Sequence, residues 1–120
     1  MSYFNFREMC KTSCDLDNYP RTMEQVGNMC VLVEFLDMIR DEFGEPIVVN
    51  SGFRSVEVNR KVGGVATSLH LNGRAADIRP CYDRADEFYS ELHRLYKILH
   101  EHKDETAELI YHKTYIHVAI

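Results

Sequence analysis

From Ile47-Val48-Val49-Asn50-Ser51-Gly52-Phe53-Arg54-Ser55 to Ala75-Ala76-Asp77-Ile78-Arg79-Pro80, the middle of the chain reads as two short strands joined by an irregular connection. Ile47 to Asn50 is a β-branched run bounded by Pro46 and by Ser51-Gly52, the pattern of a short buried strand. The second strand, Ala75 to Arg79, is closed by Pro80. Between them Ser55 caps a brief predicted helix through Asn59 and Arg60, ended by Gly63-Gly64. Residues 50–79 hold four of the six glycines and no apolar stripe of helical period, and a small domain keeps its site in such a loop-rich middle.

Outward from this stretch the periodicity changes. Thr22 followed by Gln25 is a capping-box pattern, and Val26, Met29, Cys30, Val33, Leu36, Ile39 and Phe43 then keep helical spacing up to Gly44. A second long helix is predicted from Asp83, with Ala85, Phe88, Leu92, Leu95 and Leu99 as its apolar set, Asp86 and Glu87 in its first turn and His100, His102 and Lys103 at its end. Leu109-Ile110-Tyr111 and Tyr115 to Ile120 then read as a hairpin. Residues 1–21 form a lead-in segment with one helical turn near Phe6 to Met9 and a loop over Asp15 to Pro20. The order is α+β: a small antiparallel sheet with a C-terminal hairpin, packed against two long helices, in one domain spanning 1–120.

Composition narrows the function. Fourteen Lys and Arg against nineteen Asp and Glu give a net charge of −5, which argues against a nucleic-acid partner and against an anionic membrane surface. No membrane span and no secretory leader is legible, so the chain is expected to be cytoplasmic as synthesised. Cys10, Cys14, Cys30 and Cys81 are too sparse for a disulfide scaffold; buried free thiols are the expectation, and a metal pair at Cys10 and Cys14 is the weaker alternative. The tyrosines are scattered and form no stacking platform, while His93, His100 and His102 belong to a solvated helix end.

His70 and Asp77 are seven positions apart, which suits neither one helix face nor one strand face, so two ligands to one ion would need a turn between them. Asn72-Gly73 supplies one, because both residues tolerate positive φ. On the last strand His117 shares a side with Tyr115 and Ala119, away from Ile116, Val118 and Ile120. Two imidazoles and a carboxylate suit Zn2+ and leave a fourth position for water, although a lone strand histidine is more often structural.

Asn50-Ser51-Gly52-Phe53-Arg54-Ser55, Asn59, Val62-Gly63-Gly64-Val65, Ser68-Leu69-His70, Gly73-Arg74-Ala75-Ala76-Asp77-Ile78 and Tyr115-Ile116-His117-Val118 together resemble the zinc D-alanyl-D-alanine carboxypeptidase and murein endopeptidase family, in particular its short phage- and bacteria-encoded branch. That resemblance implies a fold like that of these peptidases and of the hedgehog signalling domain. It implies zinc ligands at His70, Asp77 and His117, with Arg54 meeting a substrate carbonyl or carboxylate and Ser68 bonding substrate or merely closing a turn. The implied activity is hydrolysis of an amide in the peptide stem of peptidoglycan, which would be the chain's partner. Wall access would then require lysis, a holin-like route or a phage particle.

Many relatives carry Asp or Glu three residues before the last histidine, where this chain has Thr114, a side chain that cannot accept a proton at neutral pH. With His112-Lys113 as a two-residue turn, Tyr111 pairs with Thr114 and Glu108 falls opposite His117. Glu108 is therefore the candidate general base and His112 the second. The missing carboxylate also motivates the alternative, a catalytically weak or inactive zinc-binding module of the same fold that binds wall peptides or a protein partner.

Overall fold

The structure, a computed structural model, describes residues 3–81 and 87–120. Its elements are α1 (Phe6–Met9), α2 (Met23–Phe43), β1 (Ile47–Ser51), α3 (Val56–Lys61), a 3-10 turn (Leu69–Asn72), β2 (Ala75–Pro80), α4 (Phe88–His102), β3 (Glu108–Tyr111) and β4 (Ile116–Ala119). The α+β order predicted from the sequence holds. All four strands lie in one antiparallel sheet of order β1-β2-β4-β3.

The capping box at α2 forms as its sequence pattern requires: Thr22 Oγ1 accepts the Gln25 amide at 3.1 Å, and Gln25 Oε1 accepts the Thr22 amide at 3.1 Å. Gln25 also donates from Nε2 to Leu71 O, tying the helix start to the loop that precedes β2. At the other end Gly44 takes the left-handed conformation at φ 79°. Arg94 of α4 reaches across, donating to Phe43 O at 2.9 Å and stacking over the Phe43 ring, so each long helix fixes the other.

The buried stripe of α2 is Met29, Leu32, Leu36, Ile39 and Phe43. Cys30, assigned to that stripe from spacing, is exposed and Leu32 takes its place, because the stripe follows the i, i+3, i+4 row from Met29. Cys81 is exposed as well, and Cys10 and Cys14 are only half-buried, which corrects the expectation of four buried thiols. On α4 the inward residues are Leu92, Leu95 and Leu99. The predicted start of that helix at Asp83, with Ala85 and Asp86, lies outside the described residues; Glu87 stands at the cap position, and Glu91 is the acid of the first turn.

Both long helices cover one face of the sheet, where Val49, Ala76, Ile78, Ile116 and Val118 complete the core. Directly opposed residues of antiparallel strands share a face. The other face therefore carries Ser51 opposite Asp77, Asp77 opposite His117, and His117 opposite Ile110. An irregularity between Val49 and Ser51 inserts Asn50 as an extra residue and brings Ser51 level with Asp77.

The hairpin register differs from the one drawn from sequence. Glu108 pairs with Ala119 and Tyr111 with Ile116, a displacement of two positions, because the turn has four residues closed by His112 N donating to Tyr115 O at 2.9 Å. The His112 and Tyr115 rings stack within it, 4.4 Å apart. A shift of two preserves the face of every side chain, so Glu108 still lies on the side of His117.

Gly73 sits at φ 76° immediately after the 3-10 turn, and a Cβ there would stand 2.7 Å from Met29 Cγ and 2.8 Å from Gln25 O. Gly73→Ala combines the left-handed penalty, about 1–2 kcal/mol, with this overlap. Chemical denaturation should show a loss of roughly 2–4 kcal/mol; a loss under about 0.5 kcal/mol would contradict the packing described.

Candidate metal centre

His70 lies within the 3-10 turn, with Nδ1 2.6 Å from Gly52 O. A carbonyl only accepts, so Nδ1 carries the proton and Nε2 presents its lone pair to the sheet face. There Nε2 lies 3.4 Å from Asp77 Oδ1 on β2. His117, the strand partner of Asp77, places Nδ1 2.9 Å from the same oxygen. One ligand atom from each of His70, Asp77 and His117 can be chosen so that all three lie within 4.8 Å of one another.

Zinc bound tetrahedrally at about 2.0–2.1 Å separates its ligands by roughly 3.3 Å, and the two observed separations stand on either side of that value. The donor types and spacings thus fit a zinc ion. Among the described residues one other such group occurs, Glu42, Glu101 and His102, and it is exposed, with His102 paired to Glu42.

Arg54 follows β1 and turns its guanidinium toward the same carboxylate, Nη2 lying 3.6 Å from Asp77 Oδ2. Nε donates to Ser51 Oγ at 3.1 Å and Nη1 to Asn59 Oδ1 at 3.4 Å. Asn59 is itself buried and held by its bond to Val65 O. Ser68 Oγ accepts the His70 amide at 3.2 Å, so it does close the turn that carries the first histidine.

Glu108 reaches His117 from the next strand, Oε1 lying 3.0 Å from Nε2. It is the one carboxylate outside the triad that hydrogen-bonds to it among the described residues. His112 and Thr114 lie in the hairpin turn, His112 against Tyr115. Cys10 and Cys14 join no group of three ligand-type residues among those described.

Sequence reasoning missed the braces behind the site. Gly52 approaches Met9 so closely that a Cβ would stand 2.4 Å from Met9 O. Ser51, Asn59 and Asn18 orient Arg54 or its loop through side chains whose partners lie between three and thirty-seven positions away. Asn59 and Ser51 stood inside the quoted motif, but no spacing rule gave them a role. Nothing local marked Asn18.

Burial opposes ionisation of Asp77, but the hydrogen bond from His117, and after it the nearby His70 ring, outweigh it and hold the carboxyl well below the usual carboxylate range. His117 is raised, first by its hydrogen bond to Asp77, against the opposing effect of burial, and further by Glu108.

A family model described as Peptidase M15 matches residues 2–119. A zinc D-Ala-D-Ala carboxypeptidase from Streptomyces albus G is 46% identical over 53 residues, 43% of this chain but 21% of that protein. The chain thus aligns with about a fifth of the length of that relative.

The two pKa shifts set opposite edges of a stability window for the metal-free chain. Asp77, lowered, contributes fully above the unfolded value near 3.9 and loses its contribution as pH falls; His117, raised, contributes fully below about 6.5 and loses it as pH rises. The Tm gap between metal-free wild type and His117→Asn should therefore narrow from pH 5.5 to pH 9. Zinc needs the neutral imidazole, so the zinc-induced rise in Tm should instead grow over the same range. A gap that widens with pH in the metal-free pair would contradict the proton assignment.

Proposed function

The chain belongs to the peptidase M15 family, and from that premise we propose that it is a zinc-dependent peptidase hydrolysing an amide bond in the stem peptide of peptidoglycan. The observation that carries the proposal is the convergence of His70, Asp77 and His117 on one face of the sheet with Arg54 beside them. In this assignment His70 Nε2, an Asp77 oxygen and His117 Nδ1 are the ligand atoms. Zinc held there supplies an electrophile for the scissile carbonyl and lowers the pKa of water.

The protein groups divide the remaining work. Gly52 O fixes the ring of His70, and Glu108 Oε1 holds the Nε2 proton of His117, the outer carboxylate that commonly orients a ligating histidine. Arg54 is anchored through Nε and Nη1 with Nη2 turned toward Asp77, and the N–H groups these contacts leave over can meet a substrate carboxylate or the oxyanion that forms from the carbonyl. Ser68 keeps its hydroxyl proton for a substrate carbonyl while its oxygen caps the turn. Glu108 is our candidate for taking the proton of the attacking water and returning it to the leaving amine, with His112 second.

Thr114, in the hairpin turn at the position where the family resemblance leads one to expect a carboxylate, favours one competing view: a module that binds zinc and wall peptides without cleaving them. Elemental analysis with mass spectrometry of digested muropeptides separates the two. Wild type is expected to hold one zinc per chain and to cleave, and His70→Ala to lose both. Glu108→Gln should keep its zinc and slow turnover about 10²–10⁴-fold if it is the base, or weaken zinc binding about 10–100-fold with little change in saturated turnover if it only orients His117. Zinc without cleavage would establish the binding module; no zinc would exclude both.

A further inference from the structure

We propose that Asn18, in the segment that precedes α2, is a positioning residue for Arg54; this rests on the substrate-binding role given to Arg54 above. Asn18 is 5% exposed and its carboxamide makes three hydrogen bonds, all of them to backbone groups. Nδ2 donates to Cys10 O at 2.8 Å and to Phe53 O at 3.0 Å, while Oδ1 accepts from Ser55 N at 2.7 Å. Two of those three partners are the carbonyl and the amide on either side of Arg54. The side chain therefore clamps the peptide units that bracket the cation.

Other bonds complete the clamp. Phe53 N donates to Met9 O at 2.7 Å, Ser55 Oγ donates to Asp17 O at 2.9 Å, and Arg54 N donates to His70 O at 3.1 Å. From residue 53 to residue 55 the backbone N–H groups and the Phe53 carbonyl are all engaged, two of the four by one carboxamide. Buried polar groups that lose their partner must find water or move. With Asn18 truncated, two groups flanking Arg54 lose theirs. The displacement falls on the guanidinium, which is placed by its backbone before Ser51 and Asn59 align it. Met9 O and His70 O still hold the loop from the other sides, so the fold should survive while the cation loses its fixed place.

Two measurements on the zinc-loaded chain test this. In amide hydrogen exchange, Asn18→Ala should raise the rates of Arg54 and Ser55 about tenfold or more while those of α2 and β4 stay unchanged. In a double-mutant cycle on cleavage, Asn18→Ala should lower kcat/KM on the order of 10²-fold in wild type but less than about threefold when Arg54 is already alanine. Should Asn18→Ala fail to fold, Asn18→Ser, which keeps a polar but shorter side chain at the position, carries the same two measurements. Additive losses in the cycle, exchange that rises uniformly across the core, exchange at Arg54 that does not change, or failure of both variants to fold with zinc would each overturn the assignment in favour of a scaffold role. A wild type that cleaves no stem peptide removes the premise about Arg54, and the exchange measurement still decides whether Asn18 fixes its place.

Discussion

Asp77 and His117 are direct partners in the pairing of β2 with β4, and the 2.9 Å contact between their side chains is the constraint on which the rest of the arrangement depends. Opposed residues on antiparallel strands share a face at short range, so the register alone delivers a carboxylate beside an imidazole. That register is held by Ala76, Ile78, Ile116 and Val118, which point to the opposite side and are sealed by α2 and α4. A one-residue slip would put the polar pair into the core and the aliphatic row into solvent. Core packing and site assembly are therefore the two sides of one strand pairing.

The third member comes from outside the sheet, and the chain spends several devices on it. His70 is placed by a turn that Ser68 begins and Gly73 ends, and its ring is fixed by a carbonyl of the β1 loop. That loop is in turn held by Met9 and Asn18. The segment before α2, which reads from sequence as a lead-in, is structurally part of the wall behind the site. Ring proton, guanidinium and carboxylate are each held before any ligand arrives, which is what preorganised electrostatic stabilisation requires.

What was legible in the sequence follows the range of the interactions. The capping box of Thr22 and Gln25, the cap at Ser55 and the turn at Gly73 are local, and each formed where the residues placed it. The face of His117 followed from strand alternation. The hairpin register did not follow, since turn length is set by the contact between His112 and Tyr115 rather than by which residues are polar. Glu108 kept its face because the displacement was even. Leu32 displaced Cys30 from the core row once the helix met its neighbours, and Asn18 was silent because its partners at 53 and 55 are brought to it only by the fold.

The family to which the chain belongs is compatible with each of these features, but the central proposal is physical: three side chains from a turn and two strands, gathered on one face of the sheet, are placed to hold one zinc ion. Diffraction from zinc-loaded crystals on both sides of the zinc absorption edge tests it directly. The account predicts one anomalous peak, about 2.0–2.2 Å from His70 Nε2, an Asp77 oxygen and His117 Nδ1. A peak confined to the exposed group of Glu42, Glu101 and His102, or no peak at stoichiometric zinc, would contradict it.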